Sequence, residues 1–137
     1  MCGSPAFSTR SCWALLAGAL FALAPGGGSA QPEQTLTACL SRATNTHDMQ
    51  VCQGSALDDA NRRLAAAYDA ALAALPSDRR AKLRMAQARW VAFRSADCQV
   101  YFGSDTGTLA TVEGGRCTLD RTEARIDELT SLHARGN

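Results

Sequence analysis

Gln87, Trp90, Arg94 and Asp97 stand three, four and three residues apart, a spacing that places all four along one face of a helix. Arg94 can pair with Asp97 three residues on and lie over the indole of Trp90 four residues back. Such a cluster has two uses: it faces a ligand, or it forms a half-buried network that fixes how helices pack. The residue types favour the second. Trp and Gln need hydrogen-bond partners when buried, and the planar guanidinium of Arg suits a multiply bonded site. Catalytic readings fare worse. Ser-His-Asp chemistry needs a histidine held as base, and the chain has only His47, in a turn-like stretch, and His133. His133 is expected in the last turn of the final helix, where an imidazolium complements the helix dipole. A glycosidase needs two carboxylates across a sugar cleft, whereas Asp58, Asp59, Glu123, Asp127 and Glu128 read as solvated helix charges. Gly114-Gly115 runs into Arg116-Cys117 and does not resemble a phosphate-binding loop. The expectation is a protein that is not an enzyme and holds no cofactor.

Cysteines supply the other chemistry. Arg10 is the first charge in the chain and Glu33 the next, and the stretch from Cys12 to Ala24 is uncharged and largely apolar. That length suits the hydrophobic region of a signal peptide, and Gly28 and Ala30 supply the small residues a signal peptidase requires. Residues 1–30 therefore read as a signal peptide and residues 31–137 as the mature domain, periplasmic or secreted. No cysteine directly follows the hydrophobic run, so no stable membrane anchor is expected. Cys39, Cys52, Cys98 and Cys117 remain in an oxidising compartment, where four cysteines allow three pairings. Sequential pairing, Cys39–Cys52 and Cys98–Cys117, is the expectation. Each bridge would restrict the unfolded chain by about 3 kcal/mol. No Cys-x-x-Cys occurs, which argues against zinc and against a redox pair.

The elements that position these residues are helical. The 137 residues carry 14 Lys+Arg against 13 Asp+Glu, 46% hydrophobic residues and only 6% aromatics. The charge balance lacks a nucleic-acid footprint, and an alanine-rich chain poor in aromatics favours helices over sheets. Residues 31–36 look extended, with a short helix from Thr35 to about Arg42 and a polar turn at Asn45–Gln50. Ser55 reads as an N-cap with Asp58 three positions on, opening a helix whose apolar face is Leu57, Ala60, Leu64, Tyr68, Ala71, Leu72 and Leu75. Pro76 ends it, and Ser77 caps a second long helix that runs to about Tyr101. So short a link predicts that the two long helices run antiparallel. Residues 103–116 lack a helical period and read as a long loop, and Thr118–His133 forms a last helix. The fold class is all-α: two long antiparallel helices, a shorter N-terminal and a C-terminal helix, stapled by two disulfides.

Leu83-Arg84-x-x-Gln87-x-x-Trp90-x-x-x-Arg94-x-x-x-Cys98 resembles the signature of the LprI-like lysozyme-inhibitor domain family. Leu64-x-x-x-Tyr68 is similar to the family's preceding helix. Cys117, Thr122, Arg125 and Leu129 resemble its closing motif. Ala65 stands where that family often carries Asn. The resemblance covers nearly all of the mature chain and implies a lysozyme as protein partner. An inhibitor must present hydrogen-bond donors to a groove that works with two carboxylates. The segment 103–116, closed by Cys98–Cys117, would offer Ser104, Thr106, Thr108, Thr111 and Arg116. The other reading is an envelope structural or interaction module that binds another protein or a small ligand. Cleavage is expected between Ala30 and Gln31. Intact-mass measurement of the exported protein checks it, and a mature form that begins near Met1 or carries lipid contradicts it.

Overall fold

The computed structural model describes residues 32–102 and 107–136, in four helices: α1 Pro32–Leu40, α2 Thr46–Ala73, α3 Ser77–Gln99 and α4 Thr108–Gly136. The expected signal peptide lies outside the described residues. Pro32 opens α1 in the first turn, where its missing N–H costs nothing, and Glu33 faces the positive helix end. Residues 32–36, expected to be extended, are therefore helical. Bonds from Arg42 N to Cys39 O and from Ala43 N to Leu40 O, three residues apart, tighten the exit from α1.

Two further helices begin earlier than the sequence suggests. α2 starts at Thr46, not after Ser55. Asn45 accepts a bond from the backbone N–H of Asp48 at 2.9 Å. The Asp48 carboxylate reaches back to the Thr44 N–H at 3.0 Å and the Thr44 hydroxyl at 2.9 Å. This reciprocal cap outcompetes the later Ser55-Asp58 pair because it satisfies several orphan groups of the first turn at once. His47 accordingly lies in the first turn of α2 rather than in a turn. α4 starts at Thr108, so most of the segment expected as a loop is helix, and Thr108, Thr111 and Arg116 lie on it. Ser104 and Thr106 lie outside the described residues. The two glycines that suggested a loop are places of close approach. A Cβ on Gly114 would fall 2.2 Å from the Phe102 ring, and one on Gly115 would fall 2.7 Å from Gln53 Oε1. Tertiary packing there outweighs the poor helix propensity of glycine. Between α2 and α3 the cap is Pro76, in extended conformation, and Ser77 is the first helical residue rather than the cap.

Contacts between helices fix the topology. Gln53 meets Val112, Arg63 meets Glu123 and Ala70 meets His133, offsets of 59, 60 and 63 residues, so α2 and α4 run parallel. Gln87 meets Arg125, Arg94 meets Thr122, and Cys98 is bonded to Cys117, with separations falling from 38 through 28 to 19. α3 is therefore antiparallel to α4 and to α2, in keeping with the short link at Pro76. α2 packs chiefly on α4, α1 on α2, and α3 on α4. The core is Ala60, Leu64 and Ala71 of α2, Leu75 of the link that follows, Leu83 of α3, and Leu119, Ile126 and Leu129 of α4. The disulfides are Cys39–Cys52 and Cys98–Cys117, with Cα–Cα distances of 5.7 and 5.6 Å. They tie α1 to α2 and α3 to α4.

Charge adds two pH-sensitive fasteners. The backbone N–H of Thr44, followed by its hydroxyl, holds the Asp48 carboxyl below the ordinary range. The hydrogen bond from Arg63 does the same for Asp59. Both folded-state pKa values lie below the unfolded ones, so their stabilisation is complete above the unfolded value and vanishes as pH falls through the folded one. The melting temperature is expected to hold from neutrality to about pH 5 and to fall as carboxylates protonate below about pH 4. Circular-dichroism melts across that range check this, and Asp48→Asn should flatten the acid limb.

Candidate functional site

The polar cluster is assembled between α3 and α4. The Arg94 guanidinium lies 5.0 Å from the Trp90 ring centroid. It donates to Thr122 Oγ1 at 2.8 Å and to Asn61 Oδ1 at 3.4 Å. Arg125 approaches the same indole at 5.8 Å. Its Nε donates to Gln87 Oε1 at 3.0 Å and its Nη1 to Glu128 at 2.7 Å. Trp90 thus meets two cations, one from its own helix and one from α4. Thr122, fully buried, donates its hydroxyl hydrogen bond to Thr118 O at 2.7 Å. Asp97 turns away from Arg94: its carboxylate takes Arg121 Nε at 2.8 Å. This corrects the local pairing that the i, i+3 spacing suggested. The reason is geometric, since Arg94 is drawn inward to Thr122 while Arg121 of α4 faces Asp97 from outside. Burial lowers the pKa of Arg94. Leu64 is a core residue, and Tyr68 packs half-buried against the same core.

The second cluster was not legible in the sequence. Arg63 of α2 donates from Nε to Asp59 at 2.9 Å, from Nη1 to Glu123 Oε2 at 2.8 Å, and from Nη2 to Glu123 Oε1. Hydrogen bonding to Glu123, ahead of that to Asp59, raises its pKa. Asp59 and Glu123 are therefore not merely solvated charges, as their sequence context suggested, but the two hands on one guanidinium. The Asp59–Arg63 spacing of four was visible, while Glu123 lies 60 residues away with no local signal. His133 lies in the last turns of α4, but its Nδ1 contacts the Ala70 carbonyl at 3.1 Å, in the last turn of α2. The imidazole therefore meets the carbonyl end of a neighbouring helix.

Between α1, α2 and α4 runs a groove of about 690 Å³. Leu36, Leu40, Ala56 and Leu119 form its apolar walls, and Arg63, Arg116, Glu33, Asp120, Glu123 and Asp127 its charged lining. Gln53 also lines it. Its Nε2 donates to Val112 O at 3.0 Å, while its buried Oε1 has no hydrogen-bond partner. An orphan acceptor of this kind costs about 1–3 kcal/mol. Beside the groove, Leu109, Glu113, Arg116 and Asp120 are exposed at a spacing that puts them along one ridge of α4. Arg116 lies 3.6 Å from Asp120, with side chains 77% and 64% exposed. The potential ligand atoms of Asp97, Cys98 and Cys117 lie within 4.8 Å of one another. Both sulfurs are spent on each other in the disulfide and offer no thiolate to a metal.

An all-helical frame with two bridges and these polar clusters defines a small disulfide-stapled helical domain. Residues 29–129 match the family model described as lysozyme inhibitor LprI, and the chain belongs to that family. Comparisons with curated proteins and with solved structures give no match. Two disulfides point to an oxidising compartment. Among the described residues no helix is long and apolar enough to cross a membrane.

The indole between two guanidiniums generates a stability prediction. Trp90→Ala should cost about 3–5 kcal/mol, the range of large aromatic truncations. Arg94→Lys should cost about 1–3 kcal/mol, because an ammonium cannot reach Thr122 while stacking on the ring. Denaturant melts of the two variants provide the check. Unchanged midpoints would reassign the cluster from packing to ligand contact.

Proposed function

We propose that the protein binds a lysozyme and blocks its action. The observation that carries this reading is the match to the lysozyme inhibitor LprI family over residues 29–129, a span that takes in α1 to α3 and most of α4. Export through the signal peptide at residues 1–30 would deliver the domain to the periplasm or the exterior, where lysozymes act. The contact surface we favour is the exposed ridge of α4. Arg116 is its principal cation. Its side chain is largely in solvent beside the Cys117 anchor, held only loosely by Asp120. A guanidinium so placed can give two donors to a carboxylate of the lysozyme groove. Thr108 and Thr111 are exposed on the first turns of the same helix and add hydroxyl donors. Anchoring by Cys98–Cys117 reduces the ordering cost of binding.

A second reading, an envelope interaction module, draws on the outer face of α3. There Met85 and, at the C-cap, Val100 are exposed on the side away from Leu83 and Cys98. Titration of the disulfide-bonded mature protein into turbidity assays with lysozymes of several types separates the two. Stoichiometric inhibition is expected. Arg116→Ala should weaken it by about 1.5–3 kcal/mol, the scale of a charge-assisted hydrogen bond, with the melting temperature unchanged. No inhibition at large excess would leave the interaction module as the better account.

A further inference from the structure

α3 is the least embedded of the three long helices. It contributes only Leu83 and Cys98 to the buried set, and it packs on α4 far less extensively than α2 does. Its inward face is fixed by Gln87, Trp90, Arg94 and Cys98, all of which meet α4. On the opposite face Ala81, Met85, Ala88, Ala92 and Ala96 stand four, three, four and four residues apart, all exposed. Met85 is 55% exposed, and Val100 at the C-cap 78%. Cations border this uncharged band. Lys82 and Arg89 lie along one flank, Arg80 and Arg84 along the other. With Arg79 they place five cations within residues 79–89, and no carboxylate stands between Asp78 and Asp97. Asp97 is taken by Arg121 of α4. None of the five side chains has an ion-pair or hydrogen-bond partner among the described residues.

The chain as a whole is nearly neutral, 14 Lys+Arg against 13 Asp+Glu, so this concentration is balanced by acid elsewhere. Glu33, Asp120, Glu123 and Asp127 line the groove between α1, α2 and α4. Cys117, Arg121 and Arg125 form the side of α4 that meets α3, and the helical spacing sets Asp120, Glu123 and Asp127 on its other side. The α3 side is thus the positive side of a polarised molecule.

Unanswered positive charge selects an anionic occupant. The uncharged band between the cations narrows the choice. A second copy of the same face would set like charges against one another. A soluble polyanion would answer the cations and leave Met85 and Val100 in water. A lipid surface answers both features. Anionic headgroups meet the flanking cations, whose methylene stems lie along the helix, and the apolar band reaches the boundary with the acyl chains. We propose that the outer face of α3 docks flat on an anionic phospholipid surface. Attraction of this kind falls off within a Debye length, so the contact is peripheral and salt-reversible rather than an anchor. It does not depend on lysozyme binding, and it leaves the exposed ridge of α4 free for a protein partner.

The test mixes the full mature, disulfide-bonded protein with vesicles of equal parts phosphatidylglycerol and phosphatidylcholine and reads the bound fraction by sedimentation. Vesicles of phosphatidylcholine alone are the control. Binding to the anionic vesicles alone, released at high salt, is the expected result. Lys82→Gln/Arg84→Gln/Arg89→Gln should weaken it by about ten-fold or more, with the melting temperature unchanged because these side chains have no partner in the fold. Met85→Ser/Val100→Ser should weaken vesicle binding several-fold and leave any binding to soluble polyglutamate unaltered. No binding to anionic vesicles, or equal binding by the charge variant, would overturn the proposal. Equal vesicle binding by Met85→Ser/Val100→Ser would overturn the lipid surface as occupant and make the cations a site for soluble polyanions.

Discussion

The packing of α2 along α4 is the contact on which the rest of the molecule depends. Ala60 and Ala71 are fully buried there, and so are Thr122 and Leu129 on the facing helix. Small residues on α2 let the two axes approach, and the larger side chains of α4 fill the space between them. The pair is parallel, and a chain cannot place two helices side by side in parallel without a third element to carry it back. α3 is that return. It contributes only Leu83 and Cys98 to the buried set, so apolar burial alone fastens it poorly. The missing attachment comes from elsewhere: the Cys98–Cys117 bridge, the Trp90 indole under two guanidiniums, and the paired Asp97 and Arg121. The residues that looked most like a reaction centre are, in place, what binds the return helix to the frame.

This explains which parts of the structure were legible in the sequence. Leu64, Leu119, Ile126 and Leu129 recur at helical spacing and form the core, because a period of three to four apolar residues reports a buried face directly. Sequential cysteine pairing followed from short separations and the expected order of helices. Helix starts were harder. Asn45 and Asp48 were present as a cap, but a second cap-like pair at Ser55 and Asp58 lay downstream, and the added bonds from Asp48 back to Thr44 decide between them. Gly114-Gly115 signalled a break by propensity. In the fold those glycines are where α4 comes close to Phe102 and Gln53, a constraint that depends on residues distant in sequence. The Arg63–Glu123 pair is hidden for the same reason.

One set of charges that the frame leaves unspent lies on one side of α4. Arg94, Arg121 and Arg125 are committed to partners within the fold, and Arg63 is held by two carboxylates. Arg116 and the carboxylates near it are held weakly or not by their neighbours. A surface with a loosely held guanidinium next to an acidic groove offers charges of both signs to a partner. Charge arranged in this way sets orientation and partner choice more than raw affinity. In the proposed complex it would let a nearly neutral chain engage a charged protein, since complementarity is a matter of local fields rather than net charge. Held by two disulfides, the surface needs little reorganisation to bind.

In the proposed complex one rigid frame presents the α1 and α4 side to a lysozyme while α3 holds the frame together. Hydrogen–deuterium exchange of the mature protein, alone and saturated with lysozyme, tests it most directly. Slowed exchange in residues 33–40 and 108–120 is expected on binding, with residues 84–97 of α3 unchanged. Protection confined to α3, with α1 and the first half of α4 unaffected, would contradict it.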